Sequence, residues 1–171
     1  VVGTLRENLL DAAMVAVPAN AAAVVYLRPK AKSGDAIERD NAERLARQQG
    51  VARVTVFDDK MNPLAERLVY RNRRHRLAIQ IEPHKKSYSP RDQVTLAVTT
   101  LDPQGQPQPA TLAMSVVDDT VLSFADDKTG HMLSRLYLEP EIADKVEEPN
   151  FYFDLSEEKS ALAMDLLMGT R

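Results

Sequence analysis

From residue 51 the chain alternates between apolar and polar positions with a period of two. Val54, Val56 and Asp58 fall on one side of an extended run, and Arg53, Thr55 and Phe57 on the other. After Asp58-Asp59-Lys60-Met61-Asn62-Pro63, Leu64, Glu66, Leu68 and Tyr70 alternate with Ala65, Arg67, Val69 and Arg71. Two such runs about a short polar loop predict a β-hairpin. Leu77, Ile79 and Ile81 predict a further strand, Pro83 to Arg91 a loop, and Val94, Leu96 and Val98 the next strand. Leu101-Asp102-Pro103-Gln104-Gly105-Gln106-Pro107 is a turn, because proline presets φ and glycine tolerates its positive range. Leu112, Met114 and Val116 alternate again up to Asp118-Asp119. Half-buried strands at this spacing need a second sheet over their apolar faces, so the pattern predicts β-sandwich packing.

The two ends read differently. Residues 11–28 are rich in Ala and Val around a Pro-Ala-Asn turn, which predicts short strands at Ala13–Val17 and Ala22–Arg28. Pro29 to Asp40 is polar loop, and Asp40-Asn41-Ala42-Glu43 has the form of a capping box. Gly50 stands where the helix would stop, so a short helix is predicted over 41–49. In the tail, Met132, Leu133, Leu136 and Tyr137 fall at helical spacing, limited by Pro140. Asp154 with Glu157 repeats the capping pattern before a last helix striped by Leu162, Leu166 and Leu167.

Composition narrows the possibilities. The 171 residues suffice for one ordinary domain or two small ones. A net charge of −3 counts against nucleic acid or an anionic membrane as partner. The absence of cysteine excludes disulfides, thiolate nucleophiles and iron–sulfur clusters within this chain. The most apolar window, Ala12 to Leu27, is interrupted by Pro18 and Asn20 and falls short of a membrane span. The opening Val1-Val2-Gly3 and the close Gly169-Thr170-Arg171 lead us to expect a piece of a longer chain.

Several segments share a family likeness. Lys86-Ser87-Tyr88-Ser89-Pro90-Arg91-Asp92-Gln93-Val94 resembles the K-x-Y-x-P-x-x-x-V entry strand of macroglobulin-like domains. Asp102 to Ala110 resembles their D-x-x-G-x-P-x-P-A turn, and Ser115-Val116-Val117-Asp118 the strand that follows. The hairpin around Val54–Asp58 and Asn62–Val69 is similar to the end of the preceding domain. Met132-Leu133-Ser134, Glu148 to Asp154 and Asp165-Leu166-Leu167-Met168 are similar to an extension found in large bacterial envelope proteins of Bacteroidetes type, related to TonB-dependent receptor and plug proteins. The likeness covers roughly 51–171, and 1–50 match poorly. It implies mainly β architecture, as Ig-like or macroglobulin-like β-sandwiches with a helix near 41–49 and a helical C-terminal extension. It divides the chain into 1–76, with an insertion at 29–49, and 77–171, with the extension from about 131. Tyr88 would cover the open end of the second core. Full macroglobulins trap proteases through a Cys–Gln thioester, which a cysteine-free chain lacks.

Candidate chemistry is sparse. Arg71-Asn72-Arg73-Arg74-His75-Arg76 could contact phosphates, yet it lies between strands without aromatic interleaving and reads as a solvated linker. His75, His84 and His131 have no metal-ligand spacing. Asp118-Asp119 and Asp126-Asp127 flank Val121-Leu122-Ser123-Phe124 without a calcium-loop pattern, so strand-end solvation is the simpler role. Two carboxylates converging in a pocket would be needed for acid chemistry at Asp118, Asp119 or Glu148. Phe151-Tyr152-Phe153 holds three of the nine Phe and Tyr residues and reads as core. No catalytic, cofactor-binding or metal residue is assigned. The expectation is a non-enzymatic module of a large cell-envelope protein, periplasmic or outer-membrane associated, that spaces or docks neighbouring domains and envelope proteins. A peptide- or glycan-binding domain using a sheet edge or sandwich-end loops is the alternative.

Overall fold

A computed structural model describes residues 1–31, 33–118, 120 and 130–170. Contacts divide the chain into two compact units, residues 1–73 with 129–171, and residues 74–128.

The first unit is built on a four-stranded antiparallel sheet. Its strands are β1 (Val2–Leu5), β2 (Asn8–Ala12), β3 (Gly50–Phe57) and β4 (Pro63–Arg71), in the order β2-β1-β3-β4. The predicted hairpin is present, with Val51 opposite Tyr70 and Arg53 opposite Leu68, and a register shift at Val56/Phe57 before the turn. β1 and β2 were not anticipated. They are joined by a tight turn at Arg6, whose φ of 52° is left-handed, and a bulge between Gly3 and Thr4 offsets their register.

The predicted strands at 13–17 and 22–28 do not form. The turn between them does, with the Ala21 N–H donating to the Pro18 carbonyl at 3.1 Å and Asn20 at φ 59°. Its two arms make no ladder with each other, although Val25 and Leu27 are partly covered while Val24 and Tyr26 are exposed. Side-chain alternation is thus realised without backbone pairing, as in an alanine-rich stretch with little cross-strand packing to gain.

The helix α1 (Ala36–Arg47) begins five residues before the expected start. Asp40 lies inside it and caps nothing; instead Glu38 accepts from the Ser33 N–H at 2.6 Å. Its leucine, Leu45, packs on a small cluster of Leu5, Leu10 and Ala52. The principal core lies between the sheet and the tail, where Val51 and Leu68 meet Leu138, Ile142, Val146, Phe153, Met164 and Met168. Each such side chain, fully buried, contributes about 1.5–3 kcal/mol.

The tail was expected with the second domain, in 77–171. Residues 129–171 belong instead to the first unit, because β3 and β4 offer Val51 and Leu68 as an apolar floor. Its helices are α2 (Met132–Tyr137), two short 3-10 turns at Glu139–Glu141 and Phe151–Phe153, and α3 (Ser160–Gly169). The inward stripe of α3 is Ser160, Met164 and Met168, not the predicted leucines. Leu162 and Leu166 are exposed, and Leu167 is only partly covered. In α2 Ser134 is buried, while Met132 and Leu136 face out. Asp154 accepts from the Ser156 N–H at 2.8 Å and so closes a turn ahead of α3 without capping it.

The second unit holds a two-stranded antiparallel sheet, β5 (Ala78–Pro83) and β6 (Leu96–Leu101), with Ile81 opposite Val98. The Asp102–Pro107 turn forms as read. Asp102 Oδ1 accepts from Gln104 and Gln106 at 2.9 and 2.8 Å, and Gly105 takes φ 78°. Leu112 to Val116 form no strand, and Leu112, Met114 and Val116 are exposed. The two sheets are antiparallel, and the layer on the larger sheet is helical.

Candidate functional site

One concavity of the first unit is at one end of its sheet. Val1 and Val2, Ala12 and Ala13, and Val56 and Phe57 bring the ends of three strands together there. Met14, Val15 and Val17 from one arm of the following loop, and Ala23 and Val25 from the other, complete a cleft of about 810 Å³. Asp58, Asp59 and Met61 from the β3–β4 turn form its rim. The walls are mainly aliphatic, which suits apolar groups, with the carboxylates of Asp58 and Asp59 at the rim.

Local chemistry explains how these elements are held. Leu27 lies over Gly3, its Cδ1 3.0 Å from where a Cβ on Gly3 would stand, so the missing side chain lets the loop approach the sheet. The Asp11 carboxylate accepts from the N–H groups of Ala12, at 2.9 Å, and Arg28, at 2.8 Å. It thereby pins the loop to the last residue of β2. Asp58 is wholly engaged in its own turn, accepting from Lys60 N at 2.9 Å, Asn62 N at 2.8 Å and Asn62 Nδ2 at 2.8 Å. The Asn62 side chain and then its N–H hold the Asp58 carboxyl below its ordinary pKa. Asp59 makes no hydrogen bond or ion pair among the described residues.

The residues singled out from sequence are elsewhere. Within the basic run, Arg71 donates to the Leu45 carbonyl at 3.2 Å, and Asn72 donates to Ala46 and Gln48 at 2.8 and 2.9 Å, closing the end of α1. Burial lowers the Arg71 pKa. Arg73 reaches the tail, donating to the carbonyls of Tyr152 and Asp154 at 2.6 and 2.8 Å and to the Ser160 hydroxyl. These three residues are therefore structural cross-links, where the charge pattern had suggested solvated linker.

His131 Nδ1 accepts from the Leu133 N–H at 3.2 Å, and its ring stacks on Phe153 at 5.0 Å. Phe153 is buried, as the core reading expects, whereas Phe151 is exposed. Tyr88 is half-buried; its hydroxyl accepts from Lys85 N at 3.1 Å within its own loop. Asp118 is exposed and bonded by Thr120, whose hydroxyl and then N–H lower its pKa. Asp119, Val121-Leu122-Ser123-Phe124, Asp126 and Asp127 lie outside the described residues. No group of three or more His, Asp or Glu residues able to hold a metal occurs among the described residues. No described helix is long and apolar enough to cross a membrane.

Comparison with protein families, with curated proteins and with solved structures finds no match to this chain. The cleft was not foreseen as a site. Its signal was present in the Ala/Val-rich window at 11–28, which is too apolar for a solvated loop.

Proposed function

We propose that the chain is a non-enzymatic interaction module of a large cell-envelope protein, seating neighbouring domains of its own polypeptide or other envelope proteins. The observation that supports this reading is the open face of the second unit. Ile79 and Ile81 stand on one side of β5, with Val98 and Leu96 on the same side of β6, and both isoleucines are more than half exposed. A two-stranded sheet is marginal in water, and a covered apolar face is what stabilises it. In a macroglobulin-like sandwich the missing cover would be a second sheet. Amide hydrogen exchange of β5 and β6 tests this, measured in the chain alone and joined to its flanking domains. Protection should rise at least about tenfold on joining, as for a strand passing from local opening to cooperative protection. Equal exchange in both states overturns the proposal.

A second reading, a peptide-binding domain, is favoured by the cleft of the first unit. Its aliphatic walls suit a polypeptide strand better than a glycan, which needs many polar contacts for its hydroxyls.

A further inference from the structure

Around the cleft the main chain is as unusual as the side chains. Residues 14–17 and 22–27 belong to no helix or strand and, among the described residues, make no main-chain hydrogen bonds apart from the Pro18–Ala21 turn that joins them. Both arms line the cleft with aliphatic residues, Val15 and Val17 from one and Ala23 and Val25 from the other. At the arms' base Asp11 has already taken the N–H groups of Ala12 and Arg28, so free donors and acceptors are found only farther along the arms. Backbone with unused hydrogen-bonding groups beside an apolar trough is open to the addition of a strand. Main-chain bonds supply affinity, and alternate side chains supply selectivity.

The rim carries charge. Asp58 spends its carboxylate on its own turn, while Asp59, one residue farther, is exposed and unpaired; neither Lys60 nor any other described cation bridges to it. An occupant with a positive group beyond its apolar stretch would meet that carboxylate.

We propose that this cleft binds an extended peptide of alternating aliphatic residues ending in a lysine or arginine, added as a strand along the arms with its cation on Asp59. The inference rests on the peptide reading and not on the open face of the second unit. Because the exchange experiment probes β5 and β6 alone, failure of either idea leaves the other standing.

The test is calorimetric titration of the whole chain with the peptide acetyl-Val-Thr-Val-Thr-Val-Lys-amide. Saturable binding is expected, with the central Val→Ala peptide weaker by about tenfold, the effect of two buried methylene equivalents. Replacing the peptide lysine by glutamate, or Asp59→Asn in the protein, should weaken binding by roughly two- to fivefold, as for an exposed ion pair. The N-methylated peptide should bind more weakly still, since it cannot donate to the arms. Val15→Asp should abolish binding, and because Val15 is exposed the variant keeps its fold, verified by an unchanged melting curve. Absence of saturable binding overturns the proposal. So does equal affinity for the lysine, glutamate and N-methylated peptides, which would mark an unselective greasy cleft. Sedimentation showing a dimer that Val15→Asp dissolves would assign the cleft to a second copy of this chain and overturn it equally.

Discussion

The Arg73 guanidinium donates from Nε to the main-chain carbonyl of Tyr152, 2.6 Å away. Its Nη2 continues to the Asp154 carbonyl and the Ser160 hydroxyl. Ser160 is itself fully buried, with the carbonyls of Asp154 and Glu157 each 2.6 Å from its hydroxyl. One arginine just after β4 thus fastens the segment that carries Phe153 and the start of α3. Hydrogen bonds from charged donors contribute about 1.5–3 kcal/mol each at most, and several share this one side chain. Arg73→Ala should destabilise the chain by about 2–4 kcal/mol in urea unfolding. Arg73→Lys should restore little of it, because an ammonium cannot reproduce a planar fork aimed at separate acceptors.

Tyr70 presents the opposite situation. Its ring packs edge-on against Phe153 at 5.4 Å, yet its hydroxyl is buried with no hydrogen-bond partner among the described residues. Burial raises its pKa far above the ordinary tyrosine value, with Tyr137 adding to the shift and Arg6 opposing it. An unsatisfied buried hydroxyl costs about 1–3 kcal/mol, and phenylalanine keeps the ring contact. Tyr70→Phe should therefore raise the melting temperature by about 2–6 °C in a chain of this size. A fall in melting temperature would show that the hydroxyl is satisfied.

These two residues also explain what the sequence could and could not reveal. Period-two alternation from 51 to 71 located the hairpin, because register and face follow directly from side-chain parity once one face is buried. Asp102, Pro103 and Gly105 located their turn for equally local reasons. The tail's partner was not legible, since nothing local in Phe151-Tyr152-Phe153 says which sheet it will meet. That choice depends on Arg73, 79 residues before Tyr152, and on Val51 and Leu68, which lie earlier still. The stripe of α3 was misread because leucine outranks serine and methionine in hydrophobicity. Ser160 is nevertheless buried, since its hydroxyl is fully bonded and the site takes only a small side chain. The cleft was legible only as an apolar excess at 11–28, with no spacing to identify it.

Gly50 opens β3 at φ 135°, a region L-residues rarely enter. A Cβ there would find ordinary contact, 3.6 Å from Tyr137 Cδ1 and 3.8 Å from Leu5 Cδ2, so space is not the constraint. The cost of Gly50→Ala is conformational, about 1–3 kcal/mol. Because the neighbours belong to β1 and α2, the first unit should lose stability as a whole, seen as one cooperative shift of the unfolding curve with an unchanged slope.

The β3–β4 turn should respond to acid in a defined direction. Asp58 is partly exposed, and its carboxylate is held by the Asn62 side chain, then by the N–H groups of Asn62 and Lys60, which lowers its pKa from the ordinary aspartate value. A folded-state pKa below the unfolded one means that the ionised form stabilises the fold. That contribution is complete above about pH 4, near the unfolded value, and is lost as pH falls through the folded value. In an NMR titration the Asp58 carboxyl carbon should show a midpoint below that of an ordinary aspartate, with the amide protons of Lys60 and Asn62 moving at the same pH. Asp58→Asn should be less stable than the parent at pH 7 and should converge with it at low pH, where the parent has lost its charge as well. A stability difference that stayed constant across that range would mean that the turn depends on the side chain's shape and not on its charge.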